Sequence, residues 1–332
     1  MYGMSSGAVE VLKALCYVLN MSFQKGTLWQ QTVRVTEQAF HSGALLPIPT
    51  EYEFIEDCGM RFFVRMLSGL QRKEEARERQ EKESSATGKQ VNPFLPYDEN
   101  LFVADISDTH VALLNKFNVV EYHLLIITRA FEEQETLLTL NDFKALWACM
   151  REYNGLGFYN GGEAAGASQR HKHLQMIPLP LAPEGPQVPI DPLLVQAGFT
   201  GNFGNVPAFP YLHVLVMLEP GMVNSPSDAA KKTFELYAAM LREAGMNTPN
   251  REGQRQSCPY CLLITRGWML LVPRSQEFFD AISINSLGFA GALLVRNKEQ
   301  LEMVKRCGPM NMLRGVALPI SEKTGYGFFH SK

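Results

Sequence analysis

The chain has 332 residues, 46% hydrophobic and 20% charged, with 31 basic and 34 acidic side chains and a net charge of −3. This is globular composition, long enough for one large domain or two ordinary ones. The near-neutral balance excludes a global field drawing the protein to nucleic acid or to a membrane surface, so any anion site must be built locally.

In chain order, residues 1–27 read as an N-terminal extension. Its start, MYGMSSGAVEVLKALCYVLNM, lacks a basic opening, and Glu10 and Lys13 interrupt its apolar part, so it does not read as a signal peptide. No apolar run approaches the roughly 20 residues that span a bilayer. A first half is expected over residues 28–190. Within it, residues 70–90 (LQRKEEARERQEKESSATGKQ) are highly charged and read as a solvated helix tail running into a mobile loop. VVEYHLLIITRAF (119–131) is a strand candidate rich in branched residues. Phe143, Leu146, Trp147 and Met150 fall on one face of a helix, with Asn141 or Asp142 as cap and Asn154-Gly155 as stop. LGFYNGG and HKHLQMIPLPL then read as two strands joined by a small-residue loop. Pro178 and Pro180 imply that the second is an edge strand or ends early. Pro180 to Pro192 reads as a proline-rich connector.

The second half, residues 191–332, repeats the pattern. YLHVLVMLEP is a strand, and SPSDAAKKTFELYAAMLREAG a helix with Ser227 as cap and Gly245 as stop. PYCLLITRGWMLLVPR is a hairpin turning near Arg266-Gly267. LLIITR in the first half and LLITR in the second echo each other and hint at related halves. Cys258 and Cys261 stand as a pair, but none of Cys16, Cys58, Cys149 and Cys307 supplies the second pair that four-cysteine zinc requires. They read as two ordinary buried thiols of a reduced, cytoplasmic protein.

The chemistry concentrates in NGGEAAGASQRHKHLQ (160–175). On a strand, His171, His173 and Gln175 face one side and Lys172 and Leu174 the other. Gly162 and Gly166 allow close approach of backbone N–H groups to a ligand, forming an anion-binding nest, and Ser168 and Gln169 add donors. A neutral imidazole beside a bound phosphate can attack phosphorus and form a phosphoramidate. Two alternatives stay open on the residues alone: a metal-binding histidine pair, for which no third ligand is near in sequence, and a purely structural pair.

GASQRHKHLQ resembles the His-x-His-x-Gln signature of the transferase branch of the histidine-triad superfamily. NPFLPYDENLFV, LLNKFNVVEYHLLIITRAF, LITRGWMLLVPR and INSLGFAGALLVRN are similar to the ATP adenylyltransferase, or diadenosine tetraphosphate phosphorylase, family. The likeness runs from about Leu28 to about Pro319. It implies an α+β fold: a histidine-triad-like antiparallel sheet with packed helices, in two related halves. It implies transfer of AMP from diadenosine tetraphosphate through His173 to phosphate, giving ATP and ADP. His171 would set the ring orientation or tautomer of His173, and Ser168 and Gln175 would bond phosphate oxygens. Glutamine cannot act as a base, which favours transfer to phosphate over hydrolysis. Lys73, Asn92, Asn160, Gly166, Ala167, Gln169, Asn285 and Arg296 become expected substrate contacts. Arg296 stands where a lysine is expected, keeping the charge and changing the hydrogen-bond geometry. Asn115 and Phe117 would be wall. No tightly bound cofactor and no protein-held metal are expected, with Mg²⁺ only as carried by the nucleotide. The expected partners are diadenosine polyphosphates, ATP, ADP and phosphate, without nucleic acid or membrane; oligomeric state is not written in these motifs. The same histidine would also serve an ADP-forming sulfate adenylyltransferase or a sugar-phosphate nucleotidylyltransferase, and the loop alone a nucleotide-binding regulatory module.

Overall fold

The computed structural model describes residues 24–68, 92–251 and 253–320. The charged stretch at 70–90, including Lys73, and most of the N-terminal extension lie outside the described residues. Helix α1 (Leu28–Ser42) leads into a hairpin of β1 (Thr50–Asp57) and β2 (Met60–Leu67). There follow β3 (Phe102–Asp105), β4 (His110–Leu114), β5 (Leu124–Thr128), α2 (Leu140–Glu152), β6 (Gly155–Gly161), β7 (His173–Pro178) and the short α3 (Asp191–Leu194). Then come β8 (Gly198–Thr200), β9 (Phe203–Asn205), β10 (Val214–Met217), α4 (Pro226–Glu243), β11 (Tyr260–Ile264) and β12 (Trp268–Pro273). A small β13–β14 ribbon (Phe278–Phe279, Ile282–Ser283), α5 (Ser286–Phe289), β15 (Ala292–Val295), α6 (Lys298–Cys307) and α7 (Pro309–Val316) complete the described chain.

The strands form a ten-stranded sheet in the order β3-β4-β5-β7-β6-β11-β12-β10-β9-β8. Each neighbouring pair runs antiparallel. Its middle six strands are palindromic. The unit β5–α2–β6–β7 recurs as β10–α4–β11–β12, and the two units meet where β6 pairs with β11, Asn160 opposite Cys261. This repeat corrects the sequence echo, because LLIITR lies on β5 and LLITR on β11, and the counterpart of β5 is β10. Strands covered on both faces become continuous apolar runs wherever they sit, so such an echo carries no topology.

Helices α2 and α4 pack together on one face, where the Trp147 indole donates to Thr233 Oγ1 (2.8 Å). Phe143, Leu146, Trp147 and Met150 are all buried there, as their spacing implies. The other face carries two apolar clusters. One groups Phe94 with Val111, Leu113, Leu125 and Ile127; the other joins Phe158, Leu263, Leu270 and Val272 to α5, α6 and α7.

The structure revises several of these expectations. The cap of α2 is Thr139, not Asn141 or Asp142: Asp142 is the reciprocal partner in a capping box. The cap of α4 is Ser225, one residue before Pro226, the position that proline at N1 selects. The VVEYHLLIITRAF strand is shorter than expected, because residues 119–122 form a bend and turn with Tyr122 at φ 57°. Strand β7 does end at Pro178, but it is interior, between β5 and β6. Residues 180–192 do connect the two units, and Leu181, Val188 and Ile190 pack them into the second cluster. Of the cysteine pair, Cys261 is buried and Cys258 only half-buried.

Candidate functional site

The regular ladder begins at His173, with His171 held just before it by an isolated bridge to Glu133. The side chains nevertheless alternate. Lys172 turns to the helical side, fully buried, where Nζ donates to Asp142 Oδ2 (2.8 Å), Glu132 Oε2 (3.1 Å) and Leu137 O (3.2 Å). His173 and Gln175 face the other side, opposite Ile127 and Leu125 of β5. The two rings of the His-x-His pair both meet the Phe94 ring in T-shaped contacts, with centroids 5.6 Å and 5.4 Å away.

Each ring has a tautomer that its partners dictate. His173 Nδ1 lies 2.8 Å from the carbonyl oxygen of His171. A carbonyl only accepts, so Nδ1 carries the proton and Nε2 keeps its lone pair. Among the described residues none bonds that Nε2. Burial lowers the His173 pKa to about 4, against the raising effect of the bond to the His171 carbonyl; the ring is therefore a free base at neutral pH. His171 is locked differently. Its Nε2–H donates to Thr128 O (2.8 Å), and its Nδ1 accepts from Asn92 Nδ2 (3.0 Å). Asn92 Oδ1 in turn accepts from the Phe94 N–H (3.0 Å), which settles the amide orientation. His171 therefore orients His173 through its backbone carbonyl, not its ring. With both of its ring nitrogens committed, the pair does not offer two lone pairs to a metal. Asn92, expected against substrate, is spent on His171.

Gln175 is oriented by a second asparagine–histidine chain. The Phe117 N–H donates to Asn115 Oδ1 (3.3 Å), and Asn115 Nδ2 donates to His123 Nδ1 (3.2 Å). His123 Nε2–H must then donate to Gln175 Oε1 (2.9 Å). Only the Gln175 NH₂ group remains for a ligand, as a donor. Burial, opposed by the Gln175 bond, also lowers the His123 pKa to about 4, with nearby His173 adding to the drop.

Asn160, at the end of β6, is buried and treated alike. Its Oδ1 accepts from both the N–H (3.0 Å) and the hydroxyl (2.6 Å) of Ser286, leaving its NH₂ as donor. Gln134 ties the two strands where they diverge: its Nε2 donates to Asn160 O (2.8 Å) and its Oε1 accepts from the His173 N–H (2.9 Å).

The loop corrects the expected cradle. The Gly166 N–H bonds Glu163 O (2.7 Å) and the Ala167 N–H bonds Gly162 O (3.2 Å), so these amides close the loop on itself and do not face a ligand. Among the described residues, no hydrogen bond uses the N–H groups of exposed Ser168 or half-buried Gln169, so these two amides stay available as donors. Gly166 serves a different end. At φ +90°, its place would bring a Cβ to 2.7 Å from Asn285 Cβ, so glycine lets the second half touch the loop. Asn285 thereby lies at the site, although its Oδ1 caps α5 through Leu287 N–H (3.0 Å). Arg296 is exposed in the turn between β15 and α6, beyond the Val295–Met66 pair of the smaller β1-β2-β15 sheet, and not on the sheet that carries β6 and β7.

Sequence reading missed His123, Thr128, Gln134 and Ser286, and took Asn115 for wall. The available signal was a histidine placed immediately before the apolar run Leu124–Ile127; its meeting with Gln175, diagonal to the Leu125–Gln175 pair, depends on register.

Two family models cover most of this chain: one described as the Ap4A phosphorylase N-terminal domain over residues 19–196, the other as the ATP adenylyltransferase C-terminal domain over residues 207–319. Diadenosine 5',5'''-P1,P4-tetraphosphate phosphorylase 2 of Saccharomyces cerevisiae is 27% identical over 243 residues, 66% of this chain and 73% of that protein. Protein APA1 of the same yeast is 30% identical over 206 residues, 56% of this chain and 61% of its own length, so the match spans less than two thirds of it. The crystal structure of yeast Ap4A phosphorylase Apa2 has a TM-score of 0.72 at 22% identity, covering 90% of this chain and 100% of that one. Its complex with AMP gives 0.69 at 24% identity, covering 91% and 99%. These structural matches establish the common α+β fold.

Proposed function

As this chain belongs to the Ap4A phosphorylase family, whose N-terminal model alone matches more than half of it, we propose that it catalyses phosphorolysis of diadenosine tetraphosphate with His173 as nucleophile. It is a nucleotidyltransferase acting on small-molecule nucleotides. The observation that carries the residue assignment is the His173 ring: Nδ1–H is held by a carbonyl 2.8 Å away, and Nε2 is unprotonated in a buried setting. In the first step the Nε2 lone pair attacks an α-phosphorus, the bond to the bridging oxygen breaks, and ATP leaves with that electron pair. AMP stays bonded to Nε2, and the His171 carbonyl supports the positive charge that develops on the ring. In the second step an oxygen of inorganic phosphate attacks the same phosphorus. The P–N bond breaks, ADP leaves and Nε2 regains its lone pair.

The NH₂ groups of Gln175 and Asn160, with the N–H groups of Ser168 and Gln169, would hold the phosphoryl oxygens. Gln175 cannot deprotonate a water molecule, whereas phosphate arrives already anionic; the site therefore favours phosphate as acceptor. Mg²⁺ enters with the polyphosphate as part of the substrate. Incubation with diadenosine tetraphosphate decides the matter. ATP and ADP should form only when phosphate is present, and AMP labelled at phosphorus should attach to His173. AMP and ATP released in phosphate-free buffer would instead identify a hydrolase.

A further inference from the structure

Arg274, at the end of β12, is among the largest fully buried side chains, yet no carboxylate among the described residues pairs with it. Its Nε donates to Val316 O (3.1 Å). Nη2 donates to Gln276 O (2.8 Å), Glu277 O (3.4 Å) and Ile284 O (2.8 Å). Nη1 donates to Ala165 O (3.4 Å) and lies 3.2 Å from Cys261 Sγ. Burying an ion without a counter-ion is costly, and carbonyl dipoles satisfy its hydrogen bonds without neutralising it. Two of these contacts matter for the site. Ala165 belongs to the loop that leads to Ser168. Ile284 immediately precedes Asn285, which touches Gly166, and Ser286, which orients Asn160. One guanidinium thus grips both arms of the anion site, one from each half, from beneath.

We propose that Arg274 is a positioning residue for phosphate binding: its planar fork joins the 162–167 loop to the 284–286 segment, and its unpaired charge is balanced by the bound phosphates. This rests on the reading of the site as one for nucleotide phosphates. The two contributions separate by chemistry. Lysine keeps the charge and loses the fork, and methionine loses both. A charge effect weakens a phosphorylated ligand and spares its uncharged nucleoside.

The test measures binding of AMP and of adenosine, by calorimetry, to wild type, Arg274→Lys and Arg274→Met, together with kcat and KM for diadenosine tetraphosphate. In Arg274→Met, AMP affinity should fall by roughly tenfold or more while adenosine affinity stays within about a factor of two. In Arg274→Lys, the ratio of AMP to adenosine affinity should stay near that of wild type while kcat falls by roughly tenfold, because the two arms lose their common anchor. Equal loss for both ligands in Arg274→Met, or no loss for either, overturns the proposal. If the methionine variant does not fold, the lysine variant decides: a ratio that falls with the charge retained also overturns it. A wild-type protein that binds AMP but does not turn over diadenosine tetraphosphate sinks the functional reading and leaves the affinity ratios to decide the role of Arg274.

Discussion

At His173, a 2.8 Å bond to a carbonyl and a burial-lowered pKa of about 4 act together. The first places the lone pair on Nε2, and the second keeps it there at neutral pH. His173→Ala should therefore lower kcat by roughly a thousandfold or more and abolish the AMP adduct, as read by burst kinetics and labelled nucleotide. On the acid side, kcat/KM should stay flat down to about pH 5. It should then fall tenfold per pH unit below about pH 4, measured with brief acid exposure so that unfolding does not contribute. His123→Leu should lower kcat by roughly 10- to 100-fold and weaken AMP binding by a smaller factor, because the Gln175 amide is then free to rotate and present its oxygen to the phosphate. The histidine pair and Gln175 were legible from spacing and small-residue context. His123, Asn115 and Ser286 were not, since each acts through another side chain, and no local pattern marks such a partner.

Between elements, the strongest tie is the lysine inside the His-x-His motif. Lys172 anchors β7 to Asp142 in the first turn of α2, and His110 Nε2 lies 3.0 Å from the same carboxylate. The charge of Lys172 and the bonds to His110 and Lys172 hold the Asp142 carboxyl well below its ordinary range, against burial, which raises it. Lys172→Met would strand that carboxylate in the core and should cost about 3–5 kcal/mol in urea unfolding. The loop–α5 contact gives a second prediction: Gly166→Ala, strained at φ +90° and pressed on Asn285, should raise KM for diadenosine tetraphosphate with less effect on kcat. The buried face of α2 followed from helical periodicity, but its cap did not. Asp142 looks like a cap in isolation, and only Thr139 three residues upstream shows it to be the reciprocal half of a box.

Across the molecule, three buried histidines, His123, His173 and His213, have pKa values lowered to about 4, chiefly by burial. An unfolded histidine titrates near 6.5. Between those values the unfolded chain binds protons that the native state refuses. The stability these groups contribute is fully present above about pH 6.5 and is lost as pH falls towards about 4, at up to about 1.4 kcal/mol per pH unit for each group. The urea midpoint should fall steadily through this window, and a midpoint flat from pH 6.5 to 4.5 would show that these rings are solvated. The same scale explains the site. Strands β6 and β11 pair across the two repeats, and that pairing brings the 284–286 segment of one half onto the loop of the other. The sequence by itself determined the strand–helix–hairpin order of each half and the placing of His171, His173 and Gln175 on one stretch after a small-residue loop, because periodicity, turn residues and a two-residue spacing are local properties of the chain. The order of the strands, the tautomers of the rings, the closing of the Gly166 and Ala167 amides on their own loop and the buried grip of Arg274 were decided only by tertiary structure. The strand order and the Arg274 contacts depend on which distant groups the packing brings together, while the His173 and loop bonds join near neighbours in sequence and need a backbone path that no local residue pattern marks.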